Sequence, residues 1–375
     1  MPIYMDIHTV PGVKARDVAE AHRKDVFFEH EHACKCMTYW VDEVRENVFC
    51  LIEAPNKEAV SELHGRAHGL YPGKIIEVSS GIVESFLGRI YDPEEAEITK
   101  EGLKVFHDPS FRILLITKII DPILLEHQLG VNAVAEILNR QNSIIRKNIS
   151  FHDGREVEHE GVGFIASFEK ASKAVSCALA IQKELPETDA KTLGFRIGIN
   201  AGEPVSASDK LFGDTIQLAN HICNIAKTSR VALTSSVKTL VSKDLASYRE
   251  NIFSILSVQD ENTLESILKT LEENWQNEEF GVNDFCQAMA MSKSHLYRTT
   301  TDFFNLSPNL LIKEFRLEKA KELLIYNELT LTEIADKLHY SSVAHLSNQF
   351  KKITGLTPSF FKNMKHKRLI AHENL

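Results

Sequence analysis

Two stretches, SKSHLYRTTTDFFNLSP (Ser292–Pro308) and SVAHLSNQFKKITGLTP (Ser342–Pro358), overlay at a constant offset of 50 residues. Ser292 meets Ser342, His295 meets His345, Leu296 meets Leu346, Leu306 meets Leu356 and Pro308 meets Pro358. A repeat at fixed offset means one supersecondary unit used twice. Each copy reads as helix, turn, helix. In the second, Thr330 and Glu333 have capping-box spacing ahead of Leu331, Ile334, Ala335 and Leu338, which share one helical face. His339–Ser341 forms the turn. The next helix is expected to point Leu346, Phe350 and Ile353 inward and to end at Gly355. Its other face carries side chains able to meet phosphates and base edges. Between the copies, Ser307 and Pro308 start a long helix as cap and first residue, running through Tyr326. A plain helical bundle with a solvated charged face is the bland reading, and the agreement between repeat and caps weighs against it.

The segment LTEIADKLHYSSVAHLSNQFKKITGLTPSFFK, with RLEKAKELL (Arg316–Leu324) before it, resembles the DNA-binding domain of the AraC family. The likeness covers Leu264 to Lys367, departing at His339-Tyr340, where the family has Gly-Phe. It implies two recognition helices in successive major-groove segments, about 34 Å apart. The residues expected at the DNA are Ser294, Tyr297 and Arg298 in the first copy, and Ser342, His345, Ser347, Asn348, Gln349 and Lys352 in the second. The partners implied are a double-stranded DNA operator, RNA polymerase and a second copy of the chain.

Residues Phe111 to Leu240 alternate strand and helix. FRILLITKI is a strand, Pro122–Lys147 a helix, VGFIASF a strand end and Ala171–Leu185 a helix. FRIGINAGEPV reads as a strand pair around Gly202, Thr215–Ala226 as a helix and RVALTSSV as a strand. The phrases GREVEHEGVGFIASF, ALAIQKEL, FRIGINAGEP and LFGDTIQLANHICNIA resemble the class III nucleotide cyclase domain. That chemistry needs two carboxylates holding two divalent ions. By the resemblance, Lys118 and Val162 stand at the two metal-binding aspartates. Glu158 and Lys210 stand at the base-selecting pair, and Gln217 and His221 at the transition-state Asn and Arg. Lysine and valine cannot hold Mg²⁺. The expectation is therefore a non-enzymatic, cyclase-like domain kept for dimerisation or relay.

From Ile3 to Val78 the order is strand, helix, strand, strand, helix, strand, the split βαβ or ferredoxin-like arrangement. The second helix lies in EAPNKEAVSELHGRAHG (Glu53–Gly69), with Asn56 as cap and Gly69 past its end. His64 and His68 are four apart on that helix and share a face. Period two puts Asp6 and His8 on one face of the first strand, and Val48, Cys50 and Ile52 on one face of a later strand. If both helices cover the face showing Cys50, then Cys50 approaches His64 or His68. Imidazole and thiolate suit Ni²⁺, Cu and Zn. An i, i+4 histidine pair on a solvated helix is the bland alternative. The phrases MDIH, AHRKD, VFCLIEAPNKEAVSELHGRAHG and IIEV resemble a family of small ferredoxin-like nickel-binding proteins. That likeness favours a site of Cys50, His64, His68, His8 and Asp6 for nickel or another divalent transition metal. His22, Cys34 and Cys36 are weaker candidates.

The whole chain is thus read as multidomain α+β: a ferredoxin-like α/β sandwich (1–90), a linker (91–107), a class III cyclase-like α/β domain (108–245), a second linker (246–262) and an all-α double helix-turn-helix domain (263–370). Charge follows this division. Up to Asp92 there are 15 acidic residues against 10 Lys and Arg, whereas from Lys293 to Arg368 there are 13 Lys and Arg against 7 acidic residues. A net charge of −9 therefore does not argue against one DNA-binding domain. No run of 18 apolar residues suggests a membrane span. Six cysteines without a dense framework fit a reducing cytoplasm. The sum is a transcription regulator that senses a metal; a nucleotide cyclase, or a nucleotide sensor using the middle cleft, is the alternative.

Overall fold

The computed structural model describes residues 1–160, 163–226, 231–245, 252–277, 279–326 and 329–364. Contacts group the chain into two compact units. One comprises Met1–Lys118, Asn142–Ala190 and Arg196–Ile255; the other comprises Ile119–Gln141, Lys191–Phe195 and Leu256–Leu375.

The first unit opens with β1 (Ile3–Thr9), α1 (Ala15–Phe28), a short 3₁₀ turn (Glu29–His32), β2 (Lys35–Asp42), β3 (Asn47–Glu53), α2 (Lys57–Ala67), β4 (Lys74–Val78) and α3 (Ser80–Leu87). The four strands form one antiparallel sheet in the order β2-β3-β1-β4. Both faces are buried. Tyr4, Val48, Cys50 and Ile52 face Val18, Ala19, Val60 and Leu63 of the two helices. Met5, Trp40, Phe49, Leu51 and Ile76 face away from them. The stretch read as a linker carries a two-strand hairpin, β5 (Glu97–Ile98) and β6 (Lys104–Val105). Its Leu103, Val105 and Phe106 are buried in the helix-side core, where Phe106 stacks on Tyr39 at 4.2 Å.

The chain continues through β7 (Arg112–Lys118), α4 (Pro122–Leu129), α5 (Val131–Phe151), β8 (Arg155–Glu160), β9 (Gly163–Phe168), α6 (Ala171–Glu184), α7 (Glu187–Leu193), β10 (Arg196–Gly202), α8 (Gly213–Ile225), β11 (Val231–Leu233), α9 (Ser235–Leu245) and β12 (Phe253–Ile255). The expected helix from Pro122 is two helices, because Gly130 takes a positive φ of 86° between them. The expected strand pair around Gly202 is the single strand β10, paired with β7 and β11. The six-stranded sheet runs β12-β11-β10-β7-β9-β8.

The two sheets of this unit share a core. Met5, Trp40, Phe49, Leu51 and Ile76 of the first meet Leu114, Val205, Leu211 and Phe212 of the second region. Polar ties rim that core: Lys74 Nζ donates to Ser208 O (2.8 Å) and to Ala207 O, and Asn47 donates to Glu203 Oε1 (2.8 Å).

The second unit contains α4 and α10 (Val258–Asn274), α11 (Val282–Ala288), α12 (Lys293–Phe304), α13 (Pro308–Tyr326), α14 (Leu331–Lys337) and α15 (Val343–Thr354). The sequence repeat returns as repeated caps. Ser292 Oγ accepts from His295 N (3.3 Å), and Ser342 Oγ accepts from His345 N (3.1 Å). Both second helices end on a left-handed residue, Asn305 (φ 57°) and Gly355 (φ 79°). Leu296, Leu346 and Phe350 are fully buried. Ile353, expected inward, is 42% exposed; Thr354 takes the inward place and donates to Phe350 O at 2.7 Å. His339 sits at φ 54°, the left-handed region where glycine is cheapest.

Phe49 has no exposed surface and lies in the core that joins the two sheets of the first unit. Phe49→Ala is expected to cost about 3–5 kcal/mol, read by urea unfolding. Because the core is shared, both sheets of this unit should unfold in one transition; two resolved transitions would contradict the sharing.

Candidate metal centre

Asn56 Oδ1 accepts from Ala59 N (2.9 Å) and starts α2; Gly69, at φ 76°, closes it, with its N–H donating to His64 O. Between these ends Ala59, Val60, Leu63 and His64 turn inward. His64 therefore enters the space under the helices with no exposed surface. The bland reading of a solvated histidine pair does not hold for it.

Antiparallel pairing brings the strand residues to the same place. Asp6 lies opposite Cys50 in the β1–β3 register, and His8 follows two residues on, on the same face. Asp6, His8 and Cys50 are all buried. Asp6, His8, Cys50 and His64 each present a donor atom within 4.8 Å of the others. A second group, Asp25, His64 and His68, shares His64 with the first. Four of the five sequence-predicted metal residues thus fall into one group, and His68 into the adjoining one.

Asp25 was missed by sequence reasoning. It sits on α1 and is 2% exposed. A signal was present: Ala15, Val18 and Ala19 define the inward stripe, and i+7 from Val18 is Asp25. His22 lies on the same face but goes elsewhere, with its ring 5.2 Å from Tyr39 and Nε2 3.9 Å from Asp92. Cys34 Sγ donates to His32 O, and Cys36 N–H donates to Glu29. Neither cysteine joins either donor group.

His64 spans two carboxylates. Its Nε2 is 2.9 Å from Asp6 Oδ2, and its Nδ1 is 3.1 Å from Asp25 Oδ1 and 3.1 Å from His68 Nε2. Burial alone pulls an imidazole down, but the charge of Asp6 and the hydrogen bonds of Asp25 and Asp6 outweigh it and hold His64 up at about 10. Burial would likewise push Asp6 up, yet the charge and hydrogen bond of His64 hold it well below the ordinary carboxylate range. Burial and then the charge of Asp6 push the Cys50 thiol far up. Asp6, His64 and Asp25 thus form a buried carboxylate–imidazolium–carboxylate chain beside a neutral thiol.

His8 is the exception to this pairing. It is 6% exposed, and neither ring nitrogen makes a hydrogen bond. Its Nε2 lies 3.4 Å from Asp6 Oδ1 in poor alignment, and its ring meets that of His64 edge-on at 4.7 Å. Unpaired buried imidazole nitrogens call for an explanation. Two imidazoles, a carboxylate and a thiol make a donor set that fits a borderline or soft transition metal and not Mg²⁺ or Ca²⁺.

The remaining expected residues fall as follows. Ser294, Tyr297, Arg298, Ser342, His345, Asn348 and Lys352 are exposed, whereas Ser347 and Gln349 are half-buried. Lys118 Nζ donates to Asn224 Oδ1 at 3.0 Å. His221, half-buried on α8, is pulled down to about 4 by burial and then by the charge of Lys118. Glu158 pairs with Ile165 between β8 and β9; Gln217 and Lys210 are exposed. Val162 lies outside the described residues.

Three family models match three successive stretches. Residues 4–78 match "Nickel responsive protein SCO4226-like", 115–264 match "Adenylate and Guanylate cyclase catalytic domain", and 285–364 match "Helix-turn-helix domain". The chain joins an SCO4226-like domain, a cyclase-type domain and an AraC-type helix-turn-helix domain. It is 30% identical over 112 residues to a putative adenylate cyclase 3 of Rhizobium meliloti, covering 28% of this chain and 19% of that protein. It is 31% identical over 81 residues to the raffinose operon transcriptional regulatory protein RafR of Pediococcus pentosaceus, covering 22% and 29%. The chain spans less than a third of the length of each of these two curated relatives. Among solved structures it is similar to SCO4226 from Streptomyces coelicolor A3(2), at 31% identity and a TM-score of 0.20, covering 20% of this chain and 94% of that one.

The electrostatics set a pH dependence. His64 in the fold lies above its ordinary 6.5, so its stabilisation is full below that pH and is lost as pH rises through about 10. Asp6 is depressed, so its share is full above the ordinary carboxylate range and lost as pH falls below it. In chelator-treated protein the melting temperature is expected to fall between pH 6.5 and about 10. His64→Gln should be less stable at pH 6.5 and should flatten that slope.

Proposed function

We propose that this chain is a sequence-specific DNA-binding transcription regulator whose N-terminal domain takes up a divalent transition metal, nickel favoured. One observation carries the metal reading: four buried donors, Asp6, His8, Cys50 and His64, converge within 4.8 Å, and both ring nitrogens of His8 lack a hydrogen bond. Those four residues would hold the ion, which supplies positive charge and a coordinate link among β1, β3 and α2. The AraC-type domain at residues 285–364 and the exposed faces of α12 and α15 support the DNA reading. We assign the metal domain to 1–90, the cyclase-like domain to 108–245 and the DNA-binding domain to 263–370, with 91–107 and 246–262 between them. The operator is double-stranded DNA. RNA polymerase and a second copy of the chain are the proposed protein partners, and the cytoplasm is the proposed compartment.

The middle domain is assigned a relay or dimerisation role without catalysis. Lys118 in place of a metal-binding carboxylate, tied to Asn224, supports this. The relay is favoured by the core that the metal domain's sheet shares with Leu114, Val205, Leu211 and Phe212. Metal would act by binding one arrangement of the chain more tightly than another. A second reading, a nucleotide ligand or substrate in the middle domain, draws on the basic Lys118 beside His221, whose half-buried Nδ1 makes no hydrogen bond.

Calorimetric titration of Ni²⁺ into metal-free protein is expected to give stoichiometric binding that is lost in His64→Ala and Cys50→Ala. Weak binding unchanged by both substitutions would reject the metal role. DNA affinity should differ with and without saturating metal, and equality would reject the coupling. Incubation with ATP or GTP and Mn²⁺ should yield no cyclic nucleotide; its formation would establish the enzyme reading.

Arg298→Ala and Asn348→Ala are each expected to weaken specific DNA binding by about 1–3 kcal/mol and relax selectivity at one position. An equal loss on all sequences would make them phosphate contacts.

A further inference from the structure

The two donor groups share His64 through its two nitrogens, Nε2 toward Asp6 and Nδ1 toward Asp25. A neutral imidazole has one lone pair, so only one of these sides can ligate while the other keeps its proton. The hydrogen bonds around His68 decide which. Leu70 N–H donates to His68 Nδ1 at 3.2 Å. That nitrogen therefore holds the lone pair, and the neutral ring carries its proton on Nε2. Nε2 lies 3.1 Å from His64 Nδ1 and 3.3 Å from Asp25 Oδ1. Turning the ring over would set carbon against both Leu70 N and Asp25, losing both contacts. His68 thus has no nitrogen open to an ion, and the outer group is left without a set of three ligands.

The inner group differs. His8 has two buried nitrogens without hydrogen bonds, Cys50 supplies sulfur and Asp6 supplies oxygen. We infer that the pocket takes a single transition-metal ion on Asp6, His8, Cys50 and His64 Nε2, and that Asp25, backed by His68, is the positioning residue that selects that nitrogen. This rests on the metal reading above and deepens it: His68 is closed as a ligand, and Asp25 enters behind His64.

The geometry suits the role. Asp25 Oδ1 is hydrogen-bonded to His64 Nδ1 at 3.1 Å and lies 3.3 Å from His68 Nε2. It is carried by α1, whereas both histidines belong to α2 or its C-cap, so the carboxylate holds the His64 ring from a separate element. A carboxylate accepting the second N–H of a ligating histidine fixes its tautomer and orientation. Removing such a partner weakens metal affinity by roughly 10- to 100-fold.

The test uses the full chain loaded with Zn²⁺ and long-range ¹H–¹⁵N correlation of its histidine rings. Expected are a protonated Nδ1 and a metal-bound Nε2 on His64, with His68 protonated on Nε2 and free of metal. Metal at His64 Nδ1, or on His68, would overturn the inference while leaving the metal reading intact. Failure of the wild type to bind any ion would overturn both. With Co²⁺ as probe, Asp25→Asn should keep one ion per chain and the thiolate-to-metal absorption while affinity falls roughly 10- to 100-fold, and Asp25→Glu should recover part of that loss. A changed ligand-field spectrum in Asp25→Asn would make Asp25 a ligand, and unchanged affinity would remove it from the site.

Discussion

His64 has no exposed surface and lies between two buried carboxylates, Asp6 and Asp25. A lone charge in that position would be strongly unfavourable, and a carboxylate left there without its partner nearly as much so. The three residues come from β1, α1 and α2, so this one chain of ion pairs fixes how two helices sit on the sheet. It also leaves His8 beside it with neither ring nitrogen hydrogen-bonded. The pocket is satisfied at its centre and unsatisfied at one side, an arrangement suited to admitting a cation in exchange for protons.

The strand that carries Asp6 and His8 has a second face. Met5 and Ile7, between and beside them, pack toward the core shared with the cyclase-type domain. A strand alternates its side chains, so a displacement of Asp6 on one face is a displacement of Met5 on the other. Lys74, next to β1 in the sheet, holds the carbonyls of Ala207 and Ser208 at the rim of that core. Packed interiors pass on small shifts because they hold few voids to absorb them. The N-terminal domain is therefore built into its neighbour within the first unit.

In the second unit the fold rests on local signals used twice. Serine caps at Ser292 and Ser342 and left-handed ends at Asn305 and Gly355 fix the two repeated helices, α12 and α15. Leu296 and Leu346 anchor them inward, leaving Arg298 and Asn348 in solvent. The exception at His339, left-handed without being glycine, sits in the turn before the second of these helices. It marks a position where the tertiary fold overrides a backbone preference.

Sequence alone determined what short-range physics encodes. Capping residues, apolar periods of two and 3.6, and the repeat gave the double helix-turn-helix and the strand order of the N-terminal domain, and resemblance to three families gave the three-part architecture. They also placed Asp6 with His8, and Cys50 with Val48 and Ile52, because alternation along a strand needs no partner. Asp25 was missed although its i+7 spacing from Val18 was visible, because an acidic residue on an amphipathic helix is ordinarily a solvated one. Ile353 was misplaced by about one position, since the helix turns Thr354 inward and ties its hydroxyl to Phe350. Only the tertiary structure decided that the His64 face is buried while His68 sits at the rim, which nitrogen of each ring faces which carboxylate, and that the far face of the N-terminal sheet is core. Those facts depend on β1 pairing with β3 and on α1 crossing α2. Contacts between residues 39 and 58 positions apart, as between Asp25 and His64 and between Asp6 and His64, leave no periodic trace in a single sequence.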